Sequence, residues 1–182
     1  VEEAVENVMD QAALPIVAEA GARMRTGKTD ELVVALDPGH DSHCGGAHAN
    51  GLAEEVLTLK VANYCKEELE KYSGVKVLMT RTTAECPNPL PGSYSSAKDI
   101  RKRVQKAVEQ GADVIVSFHF NSSGSSGANG AEVIYQNQSY NAEVGLESKE
   151  LAQKIQDQLK ALGLKDRGIY SKDSTDGSHD PN

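Results

Sequence analysis

The run Leu32–Asp37, "LVVALD", is short and continuously apolar until its last residue, and a loop of glycine, histidine and alanine follows it to Gly51. An unbroken apolar run of this kind suits a strand buried on both faces, as in a parallel sheet. The same kind of segment then recurs, each time separated from the next by a helical one. Residues 53–71 carry Leu57, Val61, Cys65 and Leu69 along one helical face. Next come a strand, "GVKVLMT" (74–80), a Pro-rich loop, "ECPNPLPGSY" (85–94), a helix over 96–110 and a strand within "GADVIVSFHF" (111–120). A Gly/Ser loop (121–130), a strand "AEVIYQ" (131–136), a helix over 142–162 and a short fifth strand over 164–170 complete the pattern. This alternation predicts an α/β fold, a mostly parallel, twisted sheet flanked by helices.

Residues 1–30 stand apart. Val5, Val8, Met9, Ala12 and Ala13 give a weak helical spacing that Pro15 interrupts, and "RTGKTDE" (25–31) reads as a linker. They are expected to form a helical lead-in to one domain over 31–182. No apolar run is long enough to span a bilayer. The net charge of −8 argues against a nucleic-acid binder, which is usually basic. Cys44, Cys65 and Cys86 are odd in number and fit neither a zinc-ribbon nor a thioredoxin-like spacing.

In open parallel sheets ligands bind beyond the carboxyl ends of the strands. His40 lies just after the first strand and His119 ends the third, so parallel pairing would bring both to one rim. Catalytic zinc takes three protein ligands, of histidine and carboxylate type, and leaves one position for water. Glu54 is placed to be the third, because it heads the buried stripe in the first turn of the helix after the first strand. Glu55 is turned about 100° away and is expected to face solvent. On the residues alone the ordinary alternative stays open: two polar loop histidines and a glutamate favoured at a helix N-terminus. A local cluster of His43, Cys44 and His48 is a rival set, and His179 has only loop context.

Six segments, in order, carry a resemblance: "VVALDPGHDSHCGGA", "GLAEEVLTLKVA", "VKVLMTRT", "RVQKAVEQGADVIVSFHFNS", "GAEVIY" and "GLKDRG". Together they resemble the zinc-dependent N-acetylmuramoyl-L-alanine amidases of the type 3 family, over about residues 32–170. The resemblance implies Zn2+ held by His40, Glu54 and His119, with Glu54 rather than Glu55 the ligand because Leu59 stands five positions after it. It implies hydrolysis of the amide between N-acetylmuramic acid and L-alanine of the stem peptide. The implied partner is peptidoglycan and the implied location extracellular, at the cell wall, with no nucleic acid or membrane span and a monomeric state. A non-catalytic, zinc-containing peptidoglycan-binding or regulatory module is the alternative.

The family also carries a catalytic general-base glutamate on a strand near its C-terminus. No glutamate follows Glu150 here. The expectation is that this residue lies beyond Asn182, that the family's C-terminal strands are missing, and that these 182 residues hydrolyse peptidoglycan poorly. Asn121 is expected to order the rim loop or to contact substrate. Asp37 could bond a ligand histidine or cap the turn, and Ser117 is expected only to end a strand. Arg81 and Arg103 match family arginines, as loop anchors or as contacts to an acidic stem peptide. Residues 121–130 are a flap beside the site or a plain linker. A Cys44–Cys86 or Cys65–Cys86 disulfide would suit a wall protein, and three thiols are the alternative.

Overall fold

A computed structural model of the chain describes residues 31–87, 96–125, 127–136 and 142–171. The lead-in expected over 1–30, much of the Pro-rich loop and His179 lie outside them. The described residues fall into two compact units that divide between Ser122 and Ser123.

The first unit contains β1 (Leu32–Pro38), the short strands β2 (His48–Ala49) and β3 (Leu52–Ala53), α1 (Glu54–Leu69), β4 (Val75–Met79), α2 (Ser96–Glu109) and β5 (Val114–Phe118). β1 is the middle strand and pairs in parallel with β4 on one side and β5 on the other. Its apolar run is explained by that position: Leu32, Val34, Ala35 and Leu36 are all buried. Burying a Leu or Val side chain contributes roughly 1.5–3 kcal/mol, so this strand anchors the unit. Leu36 pairs with Val116 and Pro38 with Phe118, which aligns the carboxyl ends of β1 and β5. The α/β fold with a parallel sheet flanked by helices is as expected.

α1 packs on β1 along a stripe different from the one the leucines suggested. Its buried residues are Glu54, Thr58, Ala62 and Leu69, whereas Leu57, Val61 and Cys65 are half-buried. Small side chains on the buried stripe let the helix approach the sheet closely, and the larger apolar ones flank the contact. Glu54 still heads the stripe. β2 and β3 form an antiparallel pair that the sequence reading missed, turning through Asn50 and Gly51, both at positive φ.

The second unit contains β6 (Ala131–Ile134), α3 (Ala142–Ala161) and β7 (Asp166–Tyr170). β6 and β7 pair in parallel as a two-stranded sheet of their own. The fifth main strand expected over 164–170 is therefore β7, and among the described residues it pairs only with β6. Gln156 of α3 is buried and donates to the Ala131 carbonyl at 2.9 Å and to Asp166 at 2.6 Å, fastening the helix to both strands.

Candidate metal centre

Parallel pairing of β1 and β5 carries His40 and His119 to the same rim. The Gly39 amide donates to the Phe118 carbonyl at 2.9 Å, so the chain is still paired one residue past β1. The next residue, His40, takes φ +61°. A non-glycine side chain held in the left-handed region is strained, and such strain persists where surrounding contacts enforce it. Those contacts are visible. Thr58 donates to the Gly39 carbonyl at 2.7 Å and Arg81 donates to the same oxygen at 3.0 Å.

Glu54 is buried and held by backbone. Its Oε2 accepts from the Ala47 amide and its Oε1 from the Phe120 amide, both at 2.7 Å. The same Oε1 lies 3.4 Å from His40 Nε2 and 3.3 Å from His119 Nδ1. The two imidazoles meet edge to face, 4.8 Å between centroids. One donor atom from each of His40, Glu54 and His119 lies within 4.8 Å of the others. Donors about 2.0–2.1 Å from a tetrahedral zinc stand about 3.3–3.4 Å from one another. The two Glu54–histidine separations match that figure and exceed a charge-assisted hydrogen bond, which is about 2.7–2.9 Å. The set therefore fits a zinc ion.

Protonation points the same way. Burial, and then the adjacent His40, hold the His119 imidazole below its ordinary value, which favours the neutral ring that ligates metal. Burial pushes the Glu54 carboxyl up, but the Ala47 and Phe120 amides and the two histidines outweigh it, and it lies below the usual range.

Two glycines make room. A Cβ on Gly46 would stand 2.4 Å from Glu54 Oε2 and 2.7 Å from His40 Cδ2. One on Gly39 would stand 2.3 Å from His119 Cε1 and 2.6 Å from the Phe118 carbonyl.

The rival cluster does not form. The amides of His43 and Cys44 both donate to Asp41 Oδ1 at 2.8 Å, which makes this stretch a tight polar turn. His48 instead reaches Glu55 at 3.0 Å. Glu55 therefore does not simply face solvent, as its helical phase suggested, and it also accepts from the Gly46 amide at 3.3 Å. Nothing in one-dimensional spacing points to that contact.

Asp37 is not hydrogen-bonded to either histidine. It accepts from Thr80 and from Ser117 at 2.8 Å, and Arg103 lies 3.3 Å away. Ser117 thus does more than end a strand, because it ties β5 to this carboxylate. Arg81 and Arg103 are both buried. Arg81 donates to the carbonyls of Pro38, Gly39, Glu55 and Thr83, and Arg103 to that of Pro38 while pairing with Asp99 at 3.0 Å. These contacts are those of loop anchors. Asn121 is exposed just past β5, and the described part of 121–130 is exposed as well. Among the described residues no disulfide joins the cysteines.

Residues 34–177 match the type 3 amidase family, described as N-acetylmuramoyl-L-alanine amidase. The chain belongs to this family. It is 34% identical over 137 residues to the N-acetylmuramoyl-L-alanine amidase LytC of Bacillus subtilis, covering 75% of this chain and 24% of that protein. It is 33% identical over 131 residues to the germination-specific amidase of the same organism, covering 70% and 52%. The chain thus spans about a quarter to a half of the length of these relatives. Among solved structures, the catalytic domain of CwlV, an N-acetylmuramoyl-L-alanine amidase from Bacillus (Paenibacillus) polymyxa var. colistinus, superposes with a TM-score of 0.58 at 30% identity, covering 79% of this chain and 71% of that one. The amidase from Clostridium difficile 630 gives 0.64 at 29% identity, with the same coverage. No helix among the described residues is long and apolar enough to cross a membrane.

Proposed function

We propose that this chain hydrolyses the amide between the lactyl group of N-acetylmuramic acid and L-alanine in peptidoglycan, with zinc held by His40, Glu54 and His119. It acts outside the membrane, at the cell wall, as a monomer. The observation that carries this reading is the convergence of two histidines and a buried carboxylate, at zinc-ligand separations, on the strand-end rim of a chain of this family.

Bound zinc would supply Lewis acidity: it lowers the pKa of a coordinated water to roughly 7 and polarises the scissile carbonyl. The chain's own residues supply the rest. Glu54, clamped by two amides, holds its charge between the imidazoles and fixes their spacing. About half of the His119 side chain is exposed, which leaves that flank of the centre for substrate. Cleavage adds water across the amide, leaving a lactyl carboxylate and the free amine of L-alanine. The departing nitrogen must gain a proton, so a general acid is needed. Among the described residues Glu54 is the glutamate grouped with the two histidines.

Two measurements test the reading. His40→Ala, Glu54→Ala and His119→Ala should each lose one equivalent of zinc relative to wild type. Unchanged zinc content in Glu54→Ala would refute the ligand set. Purified walls treated with the chain should show new L-alanine amino termini. Zinc binding with no new termini would favour the non-catalytic wall-binding module instead.

A further inference from the structure

A second group of potential ligands includes the residue that follows His40. Asp41, Cys86 and Asp99 each offer one donor atom, and these lie within 4.8 Å of one another. They come from the turn after His40, the segment after β4 and the first turn of α2. Asp41 and Asp99 are both fully buried. Asp41 Oδ1 is occupied by the two amides of its turn, its Oδ2 is buried, and the Cys86 thiol donates a hydrogen bond to this carboxylate. Asp99 Oδ2 is ion-paired with the Arg103 guanidinium at 3.0 Å, whereas its buried Oδ1 has no hydrogen-bond partner. Unsatisfied buried carboxylate oxygens are costly, and a native site that contains them calls for an ion or other group to meet them.

Charge gives an independent argument. Apart from Glu54, the buried ionised side chains of this unit are Asp37, Asp41 and Asp99 against Arg81 and Arg103. The carboxylates exceed the guanidiniums by one. A divalent cation taken up with loss of the Cys86 thiol proton would bring the whole cluster to neutrality.

We propose that Asp41, Cys86 and Asp99 form a second metal site, for a zinc-type divalent ion, distinct from the His40–Glu54–His119 centre. Two carboxylates and a thiolate are a borderline-soft donor set that favours zinc or cobalt over calcium or magnesium. Binding exchanges one S–H bond for one metal–sulfur bond and releases one proton to the buffer. Its consequence is mechanical. It joins the turn that carries His40 to the segment after β4 and to α2, reinforcing the Ser42 amide to Ala84 carbonyl hydrogen bond and the arginine contacts that already link them.

The test uses the full 182-residue chain, kept reduced, loaded with excess Co2+ and desalted. Wild type should retain two ions and show a thiolate-to-cobalt charge-transfer band in the near ultraviolet, which the histidine–glutamate centre cannot produce. His40→Ala should lose one ion and keep the band. Cys86→Ser should also lose one ion, and the band with it. Asp99→Asn should weaken the second ion at least 10-fold; because that residue is fully buried, Cys86→Ser is the deciding variant if it misfolds. One ion and no band in wild type, or a band that survives Cys86→Ser, would overturn the proposal. Loss of the proposed first centre alone would appear differently, as an unchanged ion count in His40→Ala.

Discussion

At the residue scale, the most exacting positions around the centre are those with no side chain. Gly46 stands where any Cβ would press on both Glu54 and His40. Gly46→Ala should therefore leave the far-ultraviolet circular dichroism unchanged yet weaken zinc about 10–100-fold, the usual cost of disturbing a ligand's supporting contacts; a chelator competition titration measures this. Cys65 gives a chemical prediction. Burial, with the nearby Glu68, pushes its thiol up to about 11. At pH 8 an ordinary thiol of pKa about 8.5 is roughly a quarter thiolate, whereas Cys65 should be ~0.1% thiolate. Peptide-mapped alkylation should label Cys65 on the order of 100-fold more slowly than an ordinary exposed thiol. At this scale the sequence was legible where helical phase applied: Glu54 was separated from Glu55 by its turn around α1. The His48–Glu55 contact was not legible, because it depends on how a loop folds back onto a helix, and loops carry no period.

At the element scale, Arg81 does the most joining. One guanidinium donates to four carbonyls, on the end of β1, on α1 and on the segment after β4. Lysine keeps the charge but lacks the planar fork, and a buried carbonyl left without a donor costs about 1–3 kcal/mol. Arg81→Lys should destabilise the chain by about 2 kcal/mol or more in urea denaturation, with zinc affinity falling as the His40 turn loosens. An unchanged midpoint would show that water replaces the lost donors. The longer elements were readable from their apolar periods to within a few residues. β2 and β3 were not, since two-residue strands have no period to read. A signal was nonetheless present: Asn50-Gly51 is the dipeptide that two-residue hairpin turns demand, because both of its residues accept positive φ. The stripe of α1 was misjudged by one position for a related reason. Leucine and valine mark apolar surface, but the closest approach to the sheet belongs to Thr58 and Ala62, which are small.

At the scale of the whole molecule, alternation of strand and helix identified the fold class but could not say which strands share a sheet. β7 was expected beside the main strands, and the pairing with β6 is set by partner choice across the chain, which no local window contains. The second unit offers a pH test. Gln156 and Lys160 bond Asp166, with the Gly168 amide adding a further hydrogen bond, and its carboxyl lies below the ordinary value. A depressed folded pKa means stability that is present above the unfolded value, about 3.9, and is lost as the pH falls through the folded one. The stability difference between wild type and Asp166→Asn should hold steady above about pH 5 and shrink below about pH 4, as read by denaturation at each pH. The place of β1 in the middle of its sheet also bears on biosynthesis. His40 and Glu54 leave the ribosome early, but the last ligand follows the last strand to join β1. A nascent chain that stops short of β5 exposes one unpaired side of β1 and has an incomplete ligand set, so on the proposed assignment a wall-cutting centre cannot be completed until the strands that enclose it are made.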